Sequence, residues 1–174
     1  MGLRWLLAAA FRLTGLILAG NGRLRAAAAC YRRALRVCPG DAALSADLAA
    51  CLAALHEPQA ALALCAAACE KASDDPFLNN NLGRLFALQG DHSKALEHYG
   101  RALALAPSLG ATWANLGASL LAVNRPRLAL AAYRRALALA PELTGSHWGE
   151  AACLERLGRA GSAAAAYNRA LGQK

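Results

Sequence analysis

The chain has 174 residues, enough for a domain with a buried core. It is rich in Ala and Leu, holds only six prolines and few β-branched residues, and so reads as all-helical rather than sheet-forming. The net charge of +8 is lopsided: residues 1–40 carry seven arginines and no acid, while the remainder holds twelve basic and eleven acidic side chains.

One spacing organises the chain. Pro39, Ser73, Pro107 and Pro141 stand at equal intervals, and Ala27, Ala61, Ala95, Ala129 and Ala163 repeat at the same interval. So do Tyr31, Cys65, Tyr99, Tyr133 and Tyr167, and so do Ala34, Ala68, Ala102, Ala136 and Ala170. Four columns keep register without an insertion. A constant period of this length marks units that bury their apolar faces only by stacking on neighbours. The spacing predicts one array over 1–174, built of helix pairs at 8–41, 42–75, 76–109 and 110–143, with an unfinished pair at 144–174.

In the first pair, residues 1–20 admit three readings. Arg4 followed by apolar residues resembles a secretory leader, and the apolar run also suits a membrane anchor. Arg12 interrupts that run, and Phe11, Gly15 and Gly22 fall in register with the later pairs, so a repeat helix is favoured. The arginines Arg4, Arg12, Arg23, Arg25, Arg32, Arg33 and Arg36 read first as a solvated face, with Arg32–Arg33 at positions equivalent to Arg134–Arg135. The alternative is contact with anionic lipid or an acidic partner. Nucleic acid is not expected as a partner, because the basic residues are not interleaved with stacking aromatics and no nucleic-acid motif is present.

The second pair places small residues at every aromatic position, with Pro58 early in its second helix, where a missing amide costs little. It is expected to be the thinnest-packed part of the array. The fourth pair is the most explicit. Trp113, Leu116, Gly117 and Leu120 share one helical face, Ala129, Tyr133 and Ala136 share another, and Pro141 closes the second helix. These residues match W-x2-L-G-x2-Y…A-x3-F…P, with Leu120 in place of the first aromatic. The segment resembles the tetratricopeptide repeat family. The resemblance implies an all-α, right-handed α-solenoid of about five helix-turn-helix repeats, whose first helices line an inner, concave groove. The last pair keeps Gly158, Ala163, Tyr167 and Ala170, without the polar capping helix usual in the family. Asn168, Arg169 and Gln173 serving as a cap, a homodimer through this end, and continuation into a longer protein stay open as alternatives.

No cofactor or metal is expected. Cys30, Cys38, Cys51, Cys65, Cys69 and Cys153 include no C-x-x-C pair, and Cys65 with Cys69 lacks further ligands, so the cysteines read as core filler in a reducing, cytoplasmic setting. His92 and His98 do not face one another on a helix, His56 falls in a turn, and His147 takes the Trp113 position. No nucleophile elbow, P-loop or dinucleotide fingerprint occurs, and an enzyme is not expected.

The inward stripe of the first helices is where a ligand is expected. Its notable column is Asp47, Asn81, Asn115 and then Gly149. A side-chain amide both donates and accepts, which suits it to hold the backbone of an extended peptide. The column resembles the asparagine ladder in the repeats of O-GlcNAc transferases, although it breaks at Leu13 and Gly149. The lysine-rich carboxylate clamp of chaperone-binding members is missing, with Asn80 and Arg84 the nearest approach. Trp148, one residue past the packing position, is expected to face the groove beside Arg156 as an anchor. The reading is a non-enzymatic scaffold that binds an extended peptide or partner helix along Asp47, Asn80, Asn81, Arg84, Asn115, Trp148 and Arg156. Its alternatives are a substrate-presenting module of a larger enzyme, such as a glycosyltransferase, and a membrane-associated assembly factor held by residues 1–20.

Overall fold

The computed structural model describes residues 2–69 and 74–172, so Ser73 of the proline column and Gln173 of the expected cap lie outside it. Ten α-helices and no strands occur among the described residues. They are α1 (Gly2–Gly20), α2 (Leu24–Val37), α3 (Ala42–Ala54), α4 (Pro58–Cys69), α5 (Pro76–Leu88), α6 (His92–Leu105), α7 (Gly110–Ala122), α8 (Pro126–Leu139), α9 (Thr144–Arg156) and α10 (Ala160–Ala170). Two compact units are formed, Met1–Leu88 with α1 to α5 and Gln89–Lys174 with α6 to α10.

In both units each helix packs on the next, and first helices also pack on the first helix of the following pair, α3 on α5 and α7 on α9. The turn inside a pair is set by one backbone position. Gly22, His56, Gly90, Asn124 and Gly158 recur once per period, and all have positive φ, between 57° and 82°. After the left-handed residue the next amide bonds back across the turn, as in Arg23 to Leu18 (2.8 Å), Glu57 to Leu52, Arg125 to Leu120 and Arg159 to Leu154 (each 2.9 Å). This is the Schellman closure, which satisfies orphan carbonyls at a helix end. Glycine takes the left-handed position freely; His56 and Asn124 hold it as L-residues.

In the first unit the core runs through Ala27, Tyr31, Ala34, Leu44, Leu48, Leu52, Ala61, Cys65, Leu78, Leu82 and Leu85, all buried. Tyr31 lies against α1, and a Cβ at Gly15 would come within 2.6–2.9 Å of its ring carbons. In the second unit Tyr133 takes the same role. A Cβ at Gly117 would meet its ring at 3.1 Å, and one at Gly149 would sit 2.2 Å from its Cζ. Glycine is therefore the residue that lets α9 approach this ring. The ladder column breaks at Gly149 for that reason: the position is buried under Tyr133 and does not line an open face.

Candidate functional site

In the first unit, α1, α3 and α5 present one face in common. A cavity of about 470 Å³ opens there, lined among others by Arg12, Asp47, Asp75, Phe77, Asn80 and Asn81. Arg12 Nε donates to Asp47 Oδ2 at 2.8 Å, joining α1 to α3. Asn81 Nδ2 donates to the Ala46 carbonyl at 2.9 Å, joining α5 to α3. Phe77 is 53% exposed at the rim, whereas Arg84 is exposed on α5 and is not among the lining residues. The structure thus brings Asp47, Asn80 and Asn81 together and leaves Arg84 apart from them. Arg12 joins the cluster, although pattern reading took it as part of a basic run and as a break in the apolar one. One N–H of the Asn81 amide is engaged by the Ala46 carbonyl, so its carbonyl oxygen and second N–H are what it offers a ligand.

The second unit holds Asn115 half-buried on α7 and Trp148 and Arg156 on α9. Arg156 Nη1 donates to the Leu121 carbonyl at 2.7 Å, a bridge from α9 back to α7. Trp148 is 44% exposed and leans on Tyr167 of α10, with ring centroids 5.2 Å apart and planes tilted by 55°. Trp148 and Arg156, read together from the sequence, are therefore engaged by different neighbours. Tyr167 in turn donates to Glu155, which raises its hydroxyl pKa. It lines a cavity of about 420 Å³ with Glu155, Gly158, Ala160, Ala163 and Ala164.

Three of these bridges join residues 35 positions apart: Arg12 to Asp47, Asn81 to Ala46 and Arg156 to Leu121. They stitch consecutive first helices within each unit. Polar residues of these helices are thus structural braces as well as candidate contacts.

One charged group was missed by pattern reading. Glu150 is 6% exposed and accepts from Arg134 Nε at 2.9 Å and Arg169 Nη2 at 3.1 Å, tying α8, α9 and α10. It stands in the column of Leu48, Leu82 and Leu116, so an acid where a packing leucine belongs was the available signal. Arg134 and Arg169 accordingly do more than solvate a face or cap an end. The cysteines include none in a disulfide among the described residues, and burial pushes the thiols of Cys65 up to about 12 and Cys153 up to about 11. Burial, with the Asp47 carboxylate second, pushes the Tyr31 hydroxyl up to about 12. At neutral pH these groups stay protonated, which suits packing and not nucleophilic chemistry.

Helix pairs recurring at a fixed interval, with small residues set against a ring, define a helical repeat protein. Two family models described as tetratricopeptide repeat match, one over residues 77–142 and the other over residues 6–76 and 115–174. The chain belongs to the tetratricopeptide repeat family. No curated protein matches it. Among solved structures it is similar to PilF of Pseudomonas aeruginosa, with a TM-score of 0.86, 22% identity and coverage of 98% of this chain and 78% of that one. A thermophilic tetratricopeptide repeat protein of Thermus thermophilus gives a TM-score of 0.82 at 22% identity, covering 95% of this chain and 91% of that one. MamA of Desulfovibrio magneticus gives 0.76 at 17% identity, covering 99% and 96%. At these identities the likeness is one of fold. The family as a whole consists of protein–protein interaction scaffolds, typically without catalytic activity.

Proposed function

We propose that the protein is a non-enzymatic scaffold that takes an extended peptide or a partner helix on the first-helix faces of its units. The observation that carries this reading is the first unit's cavity, where a donor–acceptor set (Arg12, Asp47, Asn80, Asn81) lies beside the exposed ring of Phe77. Such a set suits a peptide backbone, which needs both donors and acceptors, and the ring offers one apolar anchor point. In the second unit Trp148 offers a second aromatic surface, already propped from behind by Tyr167. Recognition of an acidic chain terminus is not favoured, since Arg12 is committed to Asp47.

The test is site-specific photo-crosslinking in native extract. A benzoylphenylalanine placed at Phe77 or Trp148 is expected to trap a partner, while one at Leu128, exposed on the second helix α8, is expected to trap none. Trapping from Leu128 alone would mean that the second-helix face is used and the reading is wrong.

A further inference from the structure

The first helix differs from every other first helix. α1 has 19 residues where α3, α5, α7 and α9 have 13 each, and its extra turns lie at its N-terminal end. Its protein-facing side is narrow: Ala8 and Gly15 are buried, with Phe11, Leu18 and Ala19 packed partly against the core. The remainder is turned outward and is apolar. Leu3, Trp5, Leu6, Leu7, Leu13, Leu16 and Ile17 are between 47% and 83% exposed. At ~100° per residue they sweep about 200° of the helix, from Trp5 round to Leu7. Both charges, Arg4 and Arg12, fall on the other side, nearer Ala8 and Gly15, and Arg12 is paired with Asp47. The one hydroxyl on the outward arc, Thr14, donates to its own helix at the Ala10 carbonyl (2.9 Å), so it needs no water. A surface helix ordinarily puts its polar face outward; this one is reversed.

We infer that α1 lies in the interfacial layer of an anionic lipid bilayer while remaining packed on α2 as the first helix of the array. Charge selects that occupant. Arg4, Arg23, Arg25, Arg32, Arg33 and Arg36 lie near the helix ends and along α2, and residues 1–40 contain no acid. A second copy docking through the same helix would bring two such arginine sets together, whereas anionic headgroups neutralise them as the apolar arc enters the acyl boundary by about 5–10 Å. α1 is long and apolar enough to cross a membrane by composition. Crossing would carry Arg12 away from Asp47 into hydrocarbon and strip Gly15 from the Tyr31 ring, so the helix lies along the surface instead.

The experiment is flotation of the full chain with phosphatidylcholine vesicles and with vesicles in which phosphatidylglycerol replaces roughly a third of that lipid. The expected result is at least tenfold stronger binding to the anionic vesicles, falling with added salt. Leu6→Glu with Ile17→Glu, on the outward arc, is expected to abolish binding with the thermal midpoint unchanged. Arg25→Ala with Arg32→Ala and Arg33→Ala, a set that leaves the apolar arc intact, is expected to weaken it about tenfold or more. Trp5 fluorescence in a Trp113→Phe, Trp148→Phe background should be quenched by shallow and not by deep brominated lipids. Absence of vesicle binding overturns the inference. So does a dimer in light scattering that Leu6→Glu with Ile17→Glu dissociates, or deep quenching with resistance to carbonate extraction, which would mark a spanning helix.

Discussion

The two units start their first helices in different ways. In the first unit α3 and α5 begin after Asp41 and Asp75, whose carboxylates accept from Leu44 (3.0 Å) and Leu78 (2.8 Å). The fourth residue after each cap, Ser45 or Asn79, returns a side-chain bond to the cap's own carbonyl. In the second unit α7 and α9 follow Leu109 and Leu143, which offer no side-chain cap. There Trp113 Nε1 donates to the Pro107 carbonyl at 2.9 Å, and His147 Nε2 meets the Pro141 carbonyl at 3.2 Å. His147 Nδ1 is buried without a hydrogen-bond partner. One unit satisfies the helix's own amides; the other ties the helix to the preceding turn with a ring. The position in the period is common to both, and the chemistry that serves it is not.

Substitutions that break or exchange these arrangements fall in an order. Gly149→Ala should cost the second unit about 2–3 kcal/mol, because its Cβ would lie 2.2 Å from the Tyr133 ring. Gly15→Ala should act the same way in the first unit, with urea unfolding as the readout for both. A wild-type midpoint for Gly149→Ala would mean that the ring moves aside freely. Next comes Glu150. Glu150→Ala should lose about 2 kcal/mol by opening a hole and freeing both arginines, whereas Glu150→Leu, which restores the column, should be neutral or stabilising because Arg134 and Arg169 are half-exposed and return to water. A loss for the leucine as large as for the alanine would show that the ion triad itself holds α8, α9 and α10 together.

The caps give smaller effects. Asp75→Ala should cost about 1 kcal/mol, and placing Asp at Leu109 should return up to about the same amount to the second unit, read as a shift in thermal midpoint. If Leu109→Asp leaves that midpoint unmoved, the ring-to-carbonyl tie already does the work of a cap. Least of all, His56→Gly should stabilise the first unit by about 0.5–1 kcal/mol by relieving a left-handed residue, and Asn124→Gly the second by only a few tenths. Equal gains at both positions would deny asparagine its usual tolerance of that conformation.

The period made most of the fold legible. The first alanine column is buried: Ala27, Ala61, Ala95, Ala129 and Ala163 are at most 3% exposed. The tyrosine column marks where glycines are needed, and Gly15 and Gly117 obeyed it. What the period could not carry was interaction out of register. The bridges between first helices join residues 35 apart, one more than the repeat, so no column contains both partners. Glu150 was hidden for the opposite reason: a column invites averaging, and the one acid in a leucine position was averaged away. Trp148, read as a groove residue beside Arg156, packs its ring on Tyr167, which belongs to the next helix and so lies outside any pattern within its own.

The left-handed residues at 22, 56, 90, 124 and 158 have a meaning for how such a chain changes length. Each is a seam in the same phase. Cutting at one and rejoining at another removes or adds whole periods, and every side chain then meets the kind of neighbour it had before. A cut of any other length rotates the following helices and turns tyrosines out and arginines in. Register is what a lineage of such chains must inherit intact, while the number of units is open to simple duplication and loss.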